Sequence, residues 1–186
     1  MKKGILILGL FGFVILSIGC ATTPGSELLV SKGNEDKMVT SSAQFDDMAG
    51  NSSKYQDRIV MLAGAIMNIE QTDEGYLVLA KWLPYPKIRP EEGPRASKLD
   101  GDRHFLIRFV GKREKEFYSI HGNKFLLEGT VKGTKQGVVN LFGPKMDLLF
   151  VNAKCVHVWE TGEDEVSSGQ GDSEYSPVRA RTLCVD

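Results

Sequence analysis

Histidine and cysteine are scarce in this 186-residue chain, three of each, and that scarcity removes several kinds of chemistry. His104, His121 and His157 stand at no metal-ligand spacing from one another or from a cysteine, so a zinc site has no support. No Gly-x-Ser-x-Gly elbow occurs. The serines gather toward the two ends, away from the apolar middle, so no nucleophile meets an oriented base. The glycines at 122, 129, 133 and 137 punctuate strands and turns and do not precede a helix as a phosphate loop would. Basic residues do not exceed acidic ones, 23 against 24, which argues against nucleic acid as a partner. No cofactor is implied, and catalysis ranks last among the function classes. The acidic pairs Asp46-Asp47 and Glu91-Glu92 read as solvated surface.

One long apolar run is present, and it opens the chain. Lys2 and Lys3 precede an uncharged, mostly apolar stretch over residues 4–18, followed by Gly19 and Cys20. A charged start, a short apolar run and a small residue before the cut describe a secretion signal over residues 1–19. The run is shorter than the roughly 18 apolar residues of a spanning helix, and polar Thr22, Thr23, Pro24, Gly25 and Ser26 follow it without a basic cluster. The segment Leu16-Ser17-Ile18-Gly19-Cys20 resembles the lipobox of bacterial lipoproteins, with Ser17 standing where that family favours leucine. The resemblance implies cleavage between Gly19 and Cys20 and lipidation of Cys20. A triacylated cysteine would exceed the two signals that stable membrane anchoring requires. Loss of the signal would leave 21 basic and 24 acidic residues, a mildly acidic mature chain. In such lipoproteins an aspartate directly after the cysteine retains the protein at the inner membrane. Ala21 stands there instead, so the expected location is the outer membrane, with the domain in the periplasm.

Behind Cys20, polar residues to about position 42 predict a tether, and a short helix is expected within 44–55, with Phe45, Met48 and Ala49 at helical spacing. The whole of 20–54 is thus lipidated cysteine, tether and short helix. A β domain is expected over 55–160. Its strands read as 59–69 with a bend or bulge at Gly64, 76–82 after a hairpin turn, 104–109, 124–132 and 148–159. A turn is expected at 133–137, a short added strand at 138–142, one or two helical turns in 111–122, and a bulge near Cys155. Phe125, Leu127 and Val131 are expected inside, with Lys124, Glu128 and Lys132 facing water. Three strands, a short helix and two strands is the order of an OB-like Greek-key five-stranded barrel, the alternative being a simple meander. Residues 83–102 carry Pro84, Pro86, Pro90 and Pro94 and form a long loop of the kind that often has a function. Residues 161–186, rich in Glu, Asp, Ser and Gly, predict an acidic flexible tail.

The segment Tyr55-Gln56-Asp57-Arg58-Ile59-Val60-Met61-Leu62-Ala63-Gly64-Ala65-Ile66 resembles the opening of the Slp (starvation-inducible) family of outer-membrane lipoproteins. The likeness continues through Leu83-Pro84, Arg89-Pro90, Gly101-Asp102-Arg103-His104-Phe105, Gly129-Thr130-Val131-Lys132-Gly133 and Val156-His157-Val158-Trp159. It covers about residues 42–160 and the lipobox. Departures are Gln56-Asp57, where the family often has glycine, Ala63-Gly64, where it has Gly-Gly, Glu116-Phe117 ahead of Tyr118, where it has Asp-Pro, and the acidic tail after Glu160, which has no counterpart. The resemblance implies a lipid-anchored envelope protein.

Trp82, Tyr85 and Trp159 are the candidate contact residues, either binding an envelope protein or glycan at a barrel mouth or plugging the core. Cys155 and Cys184 are left once Cys20 is assigned to lipid. An oxidising compartment permits a bridge between them, but the expected inward direction of Cys155 leans slightly against one. The resulting expectation is a structural or accessory envelope lipoprotein. The alternative is a binding module that uses the barrel and residues 83–102.

Overall fold

The computed structural model describes residues 33–97, 100–110, 121–140, 142–162 and 179–185. The signal, Gly19 and Cys20 lie outside the described residues, as do 111–120, where helical turns were expected. The fold is mainly β. Six strands form one sheet: β1 (Ile59–Thr72), β2 (Gly75–Leu83), β3 (His104–Val110), β4 (Lys124–Val138), β5 (Lys145–Trp159) and β6 (Ala180–Cys184). Their order is β3-β2-β1-β4-β5-β6, and a parallel pairing of β3 with β5 closes a ring of hydrogen bonds through five strands. All the other strand pairings are antiparallel.

Period-2 alternation puts one side of each strand into the ring. Val60, Leu62 and Ile66 of β1, Val78, Ala80 and Trp82 of β2, Phe105 and Ile107 of β3, Phe125, Leu127 and Val131 of β4, and Val156 and Val158 of β5 form the main core. The inward set on β4 is the one the sequence predicts. Its outward set needs correction: Lys132 is exposed, but Lys124 and Glu128 are buried, at 6% and 7% exposure. The outer face of the sheet is covered there by a second cluster of Met38, Met61, Ala63, Tyr85, Leu126, Cys155 and Trp159.

Gly64 lies within straight β1 pairing, and the register shift falls between Ile66 and Asn68. Its role is close approach. It pairs with Trp82 on one side and Phe125 on the other, and an added Cβ would come within 2.5 Å of the Lys81 carbonyl oxygen and 2.9 Å of the Phe125 ring. The expected turn at 133–137 and strand at 138–142 are also corrected. β4 runs unbroken to Val138, and the register shifts between Val131 and Thr134. Gly133 has φ +98°, a backbone that glycine adopts without steric cost, so it marks a bulge in the strand. The second β4–β5 register shift leaves Lys154 as an extra residue beside Cys155, where a bulge was expected.

The helix α1 (Ser42–Gly50) starts at a capping box, in which Ser41 accepts from the Gln44 backbone and the Gln44 side chain returns to the cap. Its Phe45 and Met48 are buried in the core, with Phe45 5.3 Å from the Trp82 ring and 6.0 Å from Phe105. The expected tether ends earlier than position 42. Met38 forms a parallel bridge with Met61, and the Val39 carbonyl accepts from Tyr85 N–H, so 37–39 pack onto the sheet. The tail is likewise corrected at its end: β6 pairs along β5 from Trp159↔Ala180 to Cys155↔Cys184. Residues 163–178 lie outside the described residues.

Candidate functional site

β5 has two partners in turn along one of its edges. Leu149–Asn152 pair with β3, and Cys155–Trp159 pair with β6. The bulge at Lys154 reverses the facing of β5, so Val156 and Val158 enter the core while Cys155, His157 and Trp159 face out. β6 presents Cys184, Thr182 and Ala180 opposite those three. The inward Cys155 of the sequence reading is therefore wrong by one residue, and the lean against a bridge fails with it. Cys155 and Cys184 are joined by a disulfide of 2.04 Å. One rung along, His157 Nδ1 and the Thr182 hydroxyl share a hydrogen bond of 2.7 Å. Trp159 stands edge-on to the His157 ring at 4.4 Å.

Burial pushes the His157 imidazole down to about 4 from its ordinary 6.5. His104, buried on β3, is lowered in the same direction, mainly by burial. An unfolded His157 takes a proton near pH 6.5 and the folded one only near 4. Stability is therefore intact above pH 6.5 and falls as pH drops from there toward 4. We expect a loss of about 2 kcal/mol by pH 5 from this group. His157→Gln should flatten urea midpoints measured between pH 7 and 5. An equally steep decline in that variant would assign the acid sensitivity elsewhere.

All three candidate contact aromatics are buried. Trp82 is fully enclosed, Tyr85 is 2% exposed and Trp159 4%, so their rings offer no open surface. Trp82 and Trp159 lie on opposite faces of the sheet and do not form one site. Burial, with the Glu128 carboxylate nearby, holds the Tyr85 phenol above its usual range. Glu128 itself takes an ion pair of 2.8 Å from Lys154. The indole N–H of Trp82 is buried without an acceptor among the described residues.

The proline-rich segment holds a cleft of about 300 Å³ lined by Pro84, Tyr85, Pro86, Ile88, Arg89, Glu92, Gly93 and Arg95. Glu92 accepts from Arg89 and Arg95, each at 2.9 Å, and the Arg89 hydrogen bond holds its carboxyl below the usual range. The acidic pairs read as plain surface are more engaged than expected. Asp46 accepts two hydrogen bonds of 2.6 Å from Arg103, latching α1 to the entry of β3. Asp47 accepts from Tyr55, Asn51 and Lys54. The Asp46–Arg103 contact spans 57 positions, and no local spacing rule points to it.

No family model, curated protein or solved structure matches this chain.

Proposed function

We propose that this chain is an outer-membrane lipoprotein of the Slp type, in which an OB-like barrel held by lipidated Cys20 serves a structural or accessory role in the envelope without catalysis. The observation that carries the reading is the complete signal of residues 1–19 ending in Gly19-Cys20. The Cys155–Cys184 disulfide supports it, because such bonds persist in oxidising compartments beyond the inner membrane. The OB-like assignment draws support from the ring order β1-β2-β3-β5-β4 with parallel β3 and β5. Burial of Trp82, Tyr85 and Trp159 favours a scaffold.

The test is Cys20→Ala. It should leave an uncleaved precursor without labelled fatty acid, while the native protein takes up palmitate and fractionates with outer-membrane markers on a density gradient. Normal maturation and labelling of the variant would remove the lipoprotein reading. Inner-membrane fractionation of the native protein would remove only the location. A second reading, a module that binds an envelope protein or glycan, is favoured by the cleft at Pro84–Arg95. Crosslinking in intact envelopes that captures one partner through Ile88, 83% exposed at that cleft, would favour it.

A further inference from the structure

The cleft in the proline-rich segment is built on a stiff backbone. Pro84, Pro86, Pro90 and Pro94 each lock their own φ. Tyr85 N–H donates to the Val39 carbonyl at 3.1 Å, and Pro90, Gly93 and Pro94 are buried, so the segment is seated on the domain. A single 3-10 turn, Pro90–Glu92, brings Arg89 and Glu92 to one rim. A ligand bound there would have little loop ordering to overcome.

Arg89 is the costly residue of the cleft. Its backbone lies in the left-handed region, at φ 56° and ψ 60°. Glycine adopts that conformation freely, whereas an L side chain crowds the backbone there. Among the described residues only one other non-glycine residue shares it, Asp57, and aspartate is one of the types that tolerate it. Strain kept at a cleft points to a use for the side chain that causes it. The Arg89 guanidinium donates to one oxygen of Glu92 and Arg95 donates to the other, each at 2.9 Å. The side chains of Arg89 and Arg95 are 69% and 60% exposed. Each guanidinium carries several N–H donors and spends one on Glu92, so the carboxylate holds two forks side by side with donors to spare.

Charge and wall chemistry say what fits. The charged residues lining the cleft are Arg89, Arg95 and Glu92, two positive and one negative, a balance of +1. Lys87 and Glu91 are exposed outside the lining and offset each other. Glu128, the carboxylate near Tyr85, is taken by Lys154. One net positive charge, presented on paired arginine forks, matches a carboxylate better than a phosphate monoester with its roughly two negative charges. Pro84, Pro86 and Ile88 form apolar walls, and Ile88 is 83% exposed. The one aromatic ring at the cleft, Tyr85, is 2% exposed and offers no face for a sugar to stack on. A volume of about 300 Å³ is at the small end for ligand sites, suited to the end of a chain and not to a long segment.

We propose that this cleft binds the C-terminal carboxylate of a partner polypeptide, with Arg89 and Arg95 on the carboxylate and Ile88 against an apolar last side chain. The proposal rests on the binding-module reading and names the chemistry of its partner.

The test measures fluorescence anisotropy with the full chain in detergent. The probe is a short alanine peptide ending in leucine, labelled at its N-terminus, with either a free carboxylate or a carboxamide at its end. The acid should bind saturably, and the amide at least about tenfold more weakly, as loss of a charge-assisted arginine–carboxylate pair requires. Arg89→Gly should reduce acid binding to the level of the amide while its urea midpoint holds or rises, because glycine relieves the backbone. Arg95→Gln should also weaken the acid. Lys87→Gln, beside Ile88 but outside the lining, should bind as the native chain does. Equal affinity for acid and amide would overturn the proposal, as would normal binding by Arg89→Gly. Loss of binding only in step with a fallen urea midpoint in both arginine variants would make these residues clasps of the loop, which also overturns it. Preference for an oligosaccharide of uronic acids over the peptide would give the cleft to a glycan instead. Crosslinking through Ile88 in intact envelopes separates the two readings. Capture of a partner through an internal segment would overturn the carboxylate contact and keep the binding module. No capture and no peptide binding would overturn both.

Discussion

Trp82→Ala is expected to lower the free energy of unfolding by about 3–5 kcal/mol, the range for truncating a large buried aromatic. Trp82 is fully enclosed, packs on Phe45 of α1 and pairs with Gly64, whose missing side chain makes room for the Phe125 ring and the Lys81 carbonyl. Removing the indole would open a cavity where helix, β1 and β3 meet, and close packing lets such a void relax only in part. Trp82→Phe should cost less, because it keeps a ring against Phe45 and removes an indole N–H that has no acceptor among the described residues. Urea denaturation of both variants measures the difference. A cost below about 0.5 kcal/mol for the alanine variant, the range of ordinary surface changes, would show that the ring is not in the core.

Cys184→Ser is expected to lower stability by roughly 3–4 kcal/mol, the chain-entropy value for opening a loop of this length. The two cysteines are 29 positions apart, so the bond restricts a long stretch of the unfolded chain. The larger consequence is local. β6 is a five-residue edge strand held by its ladder to β5, the disulfide and the His157–Thr182 hydrogen bond. Without the bridge, amide exchange at 180–184 should accelerate sharply while the inward residues of β4 stay protected. Dithiothreitol should reproduce the effect in the native protein and do nothing further to the variant. If reduction left both the urea midpoint and exchange in β6 unchanged, the bond would not be what holds the strand.

These expectations divide along a physical line. Local rules made most strands legible. Alternation on β4 placed Phe125, Leu127 and Val131 inside, helical spacing of Phe45 and Met48 located α1, and the altered apolar pattern on β5 marked a bulge near Cys155. What local rules missed depends on second neighbours. Gly133 looks like a turn residue in any window of a few residues, and only pairing with β5 on both sides makes it a bulge. Lys124 and Glu128 alternate as water-facing residues should, but Met38, Tyr85 and Trp159 arrive from distant segments to cover them.

By itself the sequence determined the mainly β class and the inward face of β4, because periodicity acts over short spans. Tertiary structure alone decided that Trp82, Tyr85 and Trp159 are enclosed and that the last strand belongs to the sheet. The reason is geometric. A single extra residue at Lys154 rotates everything after it to the other face. That rotation turns Cys155 out of the core and toward Cys184, a pairing that no property of either cysteine's immediate neighbours encodes.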